Sequence, residues 1–459
     1  SFNIGADSHV RFNMPDANSS ALNRVDRGAS PSAIFGQLSS NGTVYLLNGN
    51  GILFGNGARV DVRSLVASTL NLANDDYVSG LTNSLYGSQA SFVRDADGLG
   101  VPAVGSGFIE VQAGAQIVTP SGGRVFLFAE DTRNAGSIST PGGQTVLAGG
   151  DKVYLQDPTR EALYASEVNA AVPALRGLLV EVGGNGRVAN SGLIDTPRGN
   201  TTLVGLAVNQ SGRISATTSV NENGSVLLLA RSGTTTGFNS TGTLFKRAAS
   251  GGTLTLGEGS AITVRPDVVS GTTQATASDN ATFTSSRIEL SGQTIELQKN
   301  SRIEAPGAIV RARAGAPDYD TDPLLARSAG VSDGGARLTL ADGVVIDVAG
   351  TRDAQVSVAR QFVSTEALGS NDLKDAPLQK LGPLYRSKVT FDLRSAVPIL
   401  GDTSSYKKAI EQTATERLSA GGQVLLESTG AVLSHAGSRI DVSGGQVGYT
   451  AALVAPTVL

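Results

Sequence analysis

Residues 31–70 read PSAIFGQLSSNGTVYLLNGNGILFGNGARVDVRSLVASTL. Apolar pairs such as Val44/Leu46 and Val60/Val62 alternate with polar positions, the period of a strand that turns every second side chain to one face. Asn41-Gly42, Asn48-Gly49-Asn50-Gly51 and Asn56-Gly57 punctuate the strands, and Asn and Gly accept the positive φ of tight corners. Strand, corner, strand, corner with no helix between them describes a chain that winds as a solenoid.

The winding has a period. Ile117-Val118-Thr119-Pro120-Ser121-Gly122-Gly123 returns 21 residues later as Ile138-Ser139-Thr140-Pro141-Gly142-Gly143. Ile194-Asp195-Thr196-Pro197 returns 20 residues later as Ile214-Ser215-Ala216-Thr217. That repeat predicts a right-handed parallel β-helix with three short strands per coil, its coils stacked at ~4.8 Å. Leucine-rich repeats share the period, but their LxxLxLxxN pattern is missing. A smaller unit recurs as Ala58-Arg59-Val60-Asp61-Val62, Ser286-Arg287-Ile288-Glu289-Leu290, Ser301-Arg302-Ile303-Glu304-Ala305 and Ser438-Arg439-Ile440-Asp441-Val442. In a strand it sends the aliphatic residues inward and the Arg and acid outward, onto a solvated, ion-paired face.

Composition agrees with a repeat array. The 459 residues include 57 Gly, no Cys, no Trp and two His, with 17% charged residues and a net charge of −4. Collagen is excluded by the missing G-X-Y period, and nucleic acid as a partner by the absence of a basic run. No apolar stretch reaches the roughly 18 residues of a membrane span.

Ala21-Leu22-Asn23-Arg24-Val25 with Pro31-Ser32-Ala33-Ile34-Phe35-Gly36, then Val44 to Ile52, and Leu65-Val66-Ala67-Ser68-Thr69-Leu70 together resemble the haemagglutination-activity domain of two-partner-secretion exoproteins, the filamentous haemagglutinin family. Asn48-Gly49-Asn50-Gly51-Ile52 is similar to the family's NPNGI signature, with Gly49 in place of its proline. The resemblance implies an adhesin that is secreted or held at the bacterial surface, exported through an outer-membrane β-barrel transporter with periplasmic recognition modules. It implies a secretion motif of Asn23, Arg24, Asn48, Asn50, Gly51 and Ile52. Asn50 is expected to satisfy backbone groups of the neighbouring coil, and Ile52 to re-enter the core. The family's domain begins with further strands upstream, so a chain opening at Ser1 without Met or a signal peptide reads as a fragment.

The expected organisation is a secretion domain over 1–157, β-helix over 158–315, a coil with long loops or an insertion over 316–420, and further coils over 421–459. A short helix is predicted from Asp157-Pro158 to Ala171. A weak helical face is predicted within 404–420 from Tyr406, Ile410 and Leu418.

Motifs that suggest chemistry have plainer readings. Gly330-Val331-Ser332-Asp333-Gly334 spells a nucleophile elbow, but a strand follows it where the elbow needs a helix and a histidine base. Asp318-Tyr319-Asp320-Thr321-Asp322 opens like a calcium loop, yet Pro323 and Ala329 occupy its Gly and Glu positions. Gly183-Gly184-Asn185-Gly186 reads as a turn. Without Cys and with His9 and His435 far apart, neither a metal nor a cofactor is expected. Glu289, Glu296, Glu304, Asp347 and Asp441 remain as candidates for carboxylate chemistry on an adjoining-coil cleft. The runner-up readings are therefore a polysaccharide-cleaving enzyme and a carrier stalk for a contact-dependent toxin.

Overall fold

One inward position recurs from coil to coil. Val10, Leu38, Val60, Ile117, Ile138, Ile194, Ile214, Ile262, Ile303, Ile346 and Ile440 are successive register partners on parallel strands. From Leu38 to Ile346 every member is at most 1% exposed. Ten steps of ~4.8 Å make a column about 48 Å long. The computed structural model describes residues 2–25, 30–81, 91–94, 107–156, 177–238, 244–268, 283–315, 335–366, 382, 385–394 and 404–455. Its strands wind as a parallel β-helix with three faces around one continuous aliphatic interior. The pairs Ile117/Ile138 and Ile194/Ile214 sit one coil apart, as their spacing predicts.

The strands group into a 20-stranded and a 10-stranded sheet. The larger sheet is two faces joined by Gln37–Leu47 and Arg59–Ser68, which turn a corner where the register breaks between Ser40 and Thr43. The smaller sheet is the third face, running from Ser32–Ile34 to Ala431–Ser434. Corners are tight for two reasons. Gly57 has φ +87°, which disfavours a side chain, and a Cβ on Gly143 would lie 1.7 Å from the Gly123 carbonyl of the previous coil.

The second face is apolar on both sides. Gln144–Gly149 and Asn200–Gly205 are buried at every position. Outside them lies a three-stranded antiparallel sheet of Phe92–Val93, Lys152–Gln156 and Leu179–Gly183. Phe126, Phe128, Val146, Val204, Leu227 and Leu229 pack outward against its Val153, Val180 and Val182, forming a second hydrophobic cluster. Phe92 meets Phe128 edge-on at 5.0 Å. A hairpin of Ser225–Phe238 and Leu244–Gly251 flanks this cover. The Gln156 side chain both donates to and accepts from the Lys246 backbone at 2.8 Å, tying the two excursions together. Strands covered on both sides lose their alternation, which is why RVFLFA over Arg124–Ala129 reads as a continuous run.

Two expectations are corrected. Glu289 is 9% exposed and bonded to Arg287, so it leaves the solvated face on which the Arg–acid pattern placed it. Burial pushes its pKa up, but the guanidinium groups of Arg287 and Arg231 outweigh that and hold the carboxyl below 4.5. Ile440 keeps the expected register as the partner of Ile346. The segment 404–420 forms two helices, Ser404–Lys408 and Ala414–Arg417. A capping box between Thr413 and Glu416 starts the second one afresh, so Tyr406, Ile410 and Leu418 share no single face. The helix expected near 157–171, the elbow at 330–334 and the acidic loop at 318–322 fall outside the described residues.

Position in the column sets the cost of substitution. Ile303→Asp should lower stability by several kcal/mol, since it places an unpaired charge in an apolar stack. Glu304→Gln should stay within about 1 kcal/mol. Denaturant melts of the two variants check this, and equal losses would refute the inward assignment.

Candidate functional site

The signature-like corner follows the end of Gln37–Leu47 and leads into Ile52–Phe54 on the third face. Asn48, 1% exposed, is its hub. Its Nδ2 donates to the Ser30 carbonyl at 3.1 Å and to Ser32 Oγ at 3.0 Å in the preceding coil. Its Oδ1 accepts from the Asn50 backbone N at 3.0 Å and from Asn50 Nδ2 at 3.1 Å. Its backbone N donates to Ser68 O in the following coil at 3.0 Å. Asn48 therefore makes the inter-coil bonds expected of Asn50, which instead donates to Asn48. The reason is direction: position 48 still lies in the wall and points inward, while position 50 is at the tip of the turn.

Gly51 has φ +126°, and a Cβ there would lie 2.7 Å from the Phe108 ring of the next coil. Gly49 is different: its φ lies outside the left-handed region, and an added Cβ would meet only Thr69 O at 3.7 Å. The corner's shape therefore does not demand glycine at 49. Ile52 is fully buried in the main core, as its place after the turn predicts.

Asn23 and Arg24 lie on Ser20–Arg24, paired with Leu46 and Leu47 immediately before the corner. Asn23 Nδ2 donates to the Tyr45 carbonyl at 3.1 Å. Arg24 reaches outward: Nη1 donates to Asn74 Oδ1 at 2.6 Å and Nη2 to the Leu72 carbonyl. It thereby holds the helix Asn74–Ser79 against the solenoid. Tyr77 of that helix stands edge-on to Tyr45 at 5.2 Å, and burial, then Tyr77, pushes the Tyr45 hydroxyl up to about 12. The six residues thus form one unit over the first coils, the corner and its brace. Sequence reading missed Ser32, whose buried hydroxyl is a partner of Asn48, and Phe108, whose ring excludes a side chain at 51. A Ser in the alternating PSAIFG strand was the signal for the first; nothing local marked the second.

Elsewhere, the first face carries a groove of about 390 Å³ lined by Glu304, Asp347, Asp441, Arg265, Arg352 and Arg439, among others. The three acids are register partners on adjoining coils. Hydrogen bonds from Ser443, then Arg439, hold the Asp441 carboxyl down at about 2, the reverse of the raised pKa a general acid needs. His9 Nε2 lies 2.7 Å from Ser39 Oγ on the exposed surface. Among the described residues no group of three His, Cys, Asp or Glu is placed to hold a metal. Gly184, with φ +79°, is in a turn as expected.

Residues 1–244 match the family described as the TPS secretion domain. Over 72 residues the chain is 49% identical to a heme/hemopexin-binding protein of Haemophilus influenzae strain Rd. It is 43% identical over 72 residues to a second heme/hemopexin-binding protein of Haemophilus influenzae. Each alignment covers 16% of this chain and only 8% of the relative. The crystal structure of the HMW1 secretion domain from Haemophilus influenzae superposes with a TM-score of 0.51 over 77% of each chain. At 20% identity that likeness is one of fold.

The geometry of the corner ranks its two asparagines. Asn48→Ala should cost ~1–3 kcal/mol, because it strands buried groups in the corner, and Asn50→Ala about 1 kcal/mol or less; denaturant melts that reversed this order would return the hub to Asn50. A second prediction concerns pH. The folded pKa of Asp441 is depressed from 3.8 to about 2, so its contribution is present above 3.8 and is lost as pH falls through about 2. Asp441→Asn should lower the melting temperature at pH 5, with the deficit closing by pH 2.

Proposed function

The chain belongs to the TPS secretion-domain family, and from that membership we propose that it is the export-bearing part of a filamentous adhesin. Membership makes it a two-partner-secreted exoprotein with an outer-membrane transporter as partner, secreted or exposed at the cell surface. The finer reading is ours: the transporter is a β-barrel whose periplasmic modules engage the coils around Asn23, Arg24 and Asn48–Ile52. Residues 1–157 carry the export determinant, 158–315 and 421–459 continue the fibre, and 316–420 hold its main insertion. The exported fibre attaches to host cells, other bacteria or matrix polysaccharide and takes part in biofilm contacts.

The observation that carries the reading is the corner itself, a buried hub that fixes the shape of three successive coils inside the family's span. We further read the chain as non-catalytic, supported by the ionised state of Asp441 in the groove and by the exposed setting of the His9–Ser39 pair.

The test is co-expression of the full-length protein with its outer-membrane partner and quantification of secreted against periplasmic chain. Asn48→Ala and Ile52→Asp should reduce secretion, Ile52→Asp more. Ile303→Asp, which disturbs the solenoid beyond the matched span, should leave transporter engagement intact. Normal secretion of a chain lacking Asn48–Ile52 would overturn the export assignment. The secreted wild type should then bind cells or extracted matrix saturably; failure on every surface would overturn the adhesin reading alone.

A further inference from the structure

The inward column of the third face is aliphatic or aromatic from Ile34 to Val111 and again from Leu256 to Leu340. Between them stand three amides, Asn134, Asn190 and Gln210, each register partner of the next and each at most 1% exposed. Asn134 Nδ2 donates to Asn190 Oδ1 at 2.7 Å, and Asn190 Nδ2 to Gln210 Oε1 at 2.7 Å. Asn134 Oδ1 in turn accepts from the Gly136 backbone at 3.2 Å.

These amides sit where alignment has to be regained after an excursion. Asp131–Asn134 pairs with Arg187–Asn190, and between them the chain leaves the solenoid for the outer strands Lys152–Gln156 and Leu179–Gly183. The coils to be matched look alike: DTRNAGSIST from 131, RVANSGLIDT from 187 and AVNQSGRISA from 207. Their strands are only four residues long, and one aliphatic rung stacks on another about equally well. An amide facing an aliphatic rung, however, loses its partner in a buried site.

We propose that the Asn134–Asn190–Gln210 ladder is a register latch, by which the chain returning from the excursion finds its rung. The ion pair of Asp131 with Arg187, at 2.6 Å, closes the outer side of the same junction. A buried polar residue that fixes alignment at some cost in stability has a parallel in coiled coils.

The absence of cysteine makes the test clean. Ser137 and Leu193 are rung neighbours on the outer side of the first face, so cysteines there can form a disulfide in the native register. Ser139 pairs natively with Asp195, so a Ser139→Cys/Leu193→Cys pair reports a slide of two residues. Each pair is placed in the full chain, which is refolded and oxidised with either Asn190→Leu, similar in volume but apolar, or Asn190→Gln. Asn190→Gln should cross-link as the parent does. Asn190→Leu should lose native cross-link at least about twofold and gain the slid product, because a two-residue shift keeps the same side chains inward. Native cross-linking alone in Asn190→Leu would overturn the latch. Loss of both products would overturn it as well, leaving the ladder a role in stability without one in register.

Discussion

Everything in this molecule depends on stacking like on like along a narrow interior. A three-faced coil encloses little more than its own inward side chains, so each packs against the apolar side chains directly above and below it. The isoleucine column from Ile117 to Ile346 meets that demand on the first face. Its regularity makes the backbone ladder continuous, because parallel strands hold their hydrogen bonds only while side chains stay in step. Corners serve the same constraint. Gly143 lies so close to the Gly123 carbonyl that the coil spacing itself excludes a Cβ.

The second face shows how the solenoid is thickened. Its outward positions Val66, Phe126 and Val146 would be exposed apolar surface without the antiparallel strands laid over them. Farther along the same register line, Leu227 is followed by Glu289 and Arg311. That change of chemistry marks where the apolar cover ends. Glu289 is buried near that limit, so it needs the arginines around it to remain ionised. Burial of a charge is tolerated there because the partners are fixed by rungs on either side.

The fold was legible because its main signal is periodic. Inward aliphatics at 20 and 21 residues, with Gly and Asn between them, follow directly from coil geometry, and Ile303 obeyed them. Features that depend on excursions escaped the sequence. Glu289 looks identical to Glu304 in its Arg-x-acid setting, yet only Glu289 is buried, and no local pattern distinguishes them. At the candidate site the corner was visible but its hub was misplaced by two residues. Turn composition names the residues of a corner, whereas the choice between Asn48 and Asn50 rests on which one the wall directs inward. Thr413 and Glu416 were readable as a cap, but the broader spacing of Tyr406 and Leu418 obscured it.

The extent of the outer cluster also bears on where cooperative folding of the solenoid ends. In a bare solenoid each coil touches mainly its neighbours, so folding can proceed from one end and no boundary is intrinsic. The excursions change this. Leu22, Tyr77, Phe92, Val153, Val182 and Leu229 share one cluster, so segments some two hundred residues apart must be present before it closes. Its last member, Leu229, lies fifteen residues before the end of the family match at 244, where the second strand of the flanking hairpin begins. The covered half of the solenoid is therefore a cooperative unit with a physical end, beyond which the same outer line changes to Glu289 and Arg311.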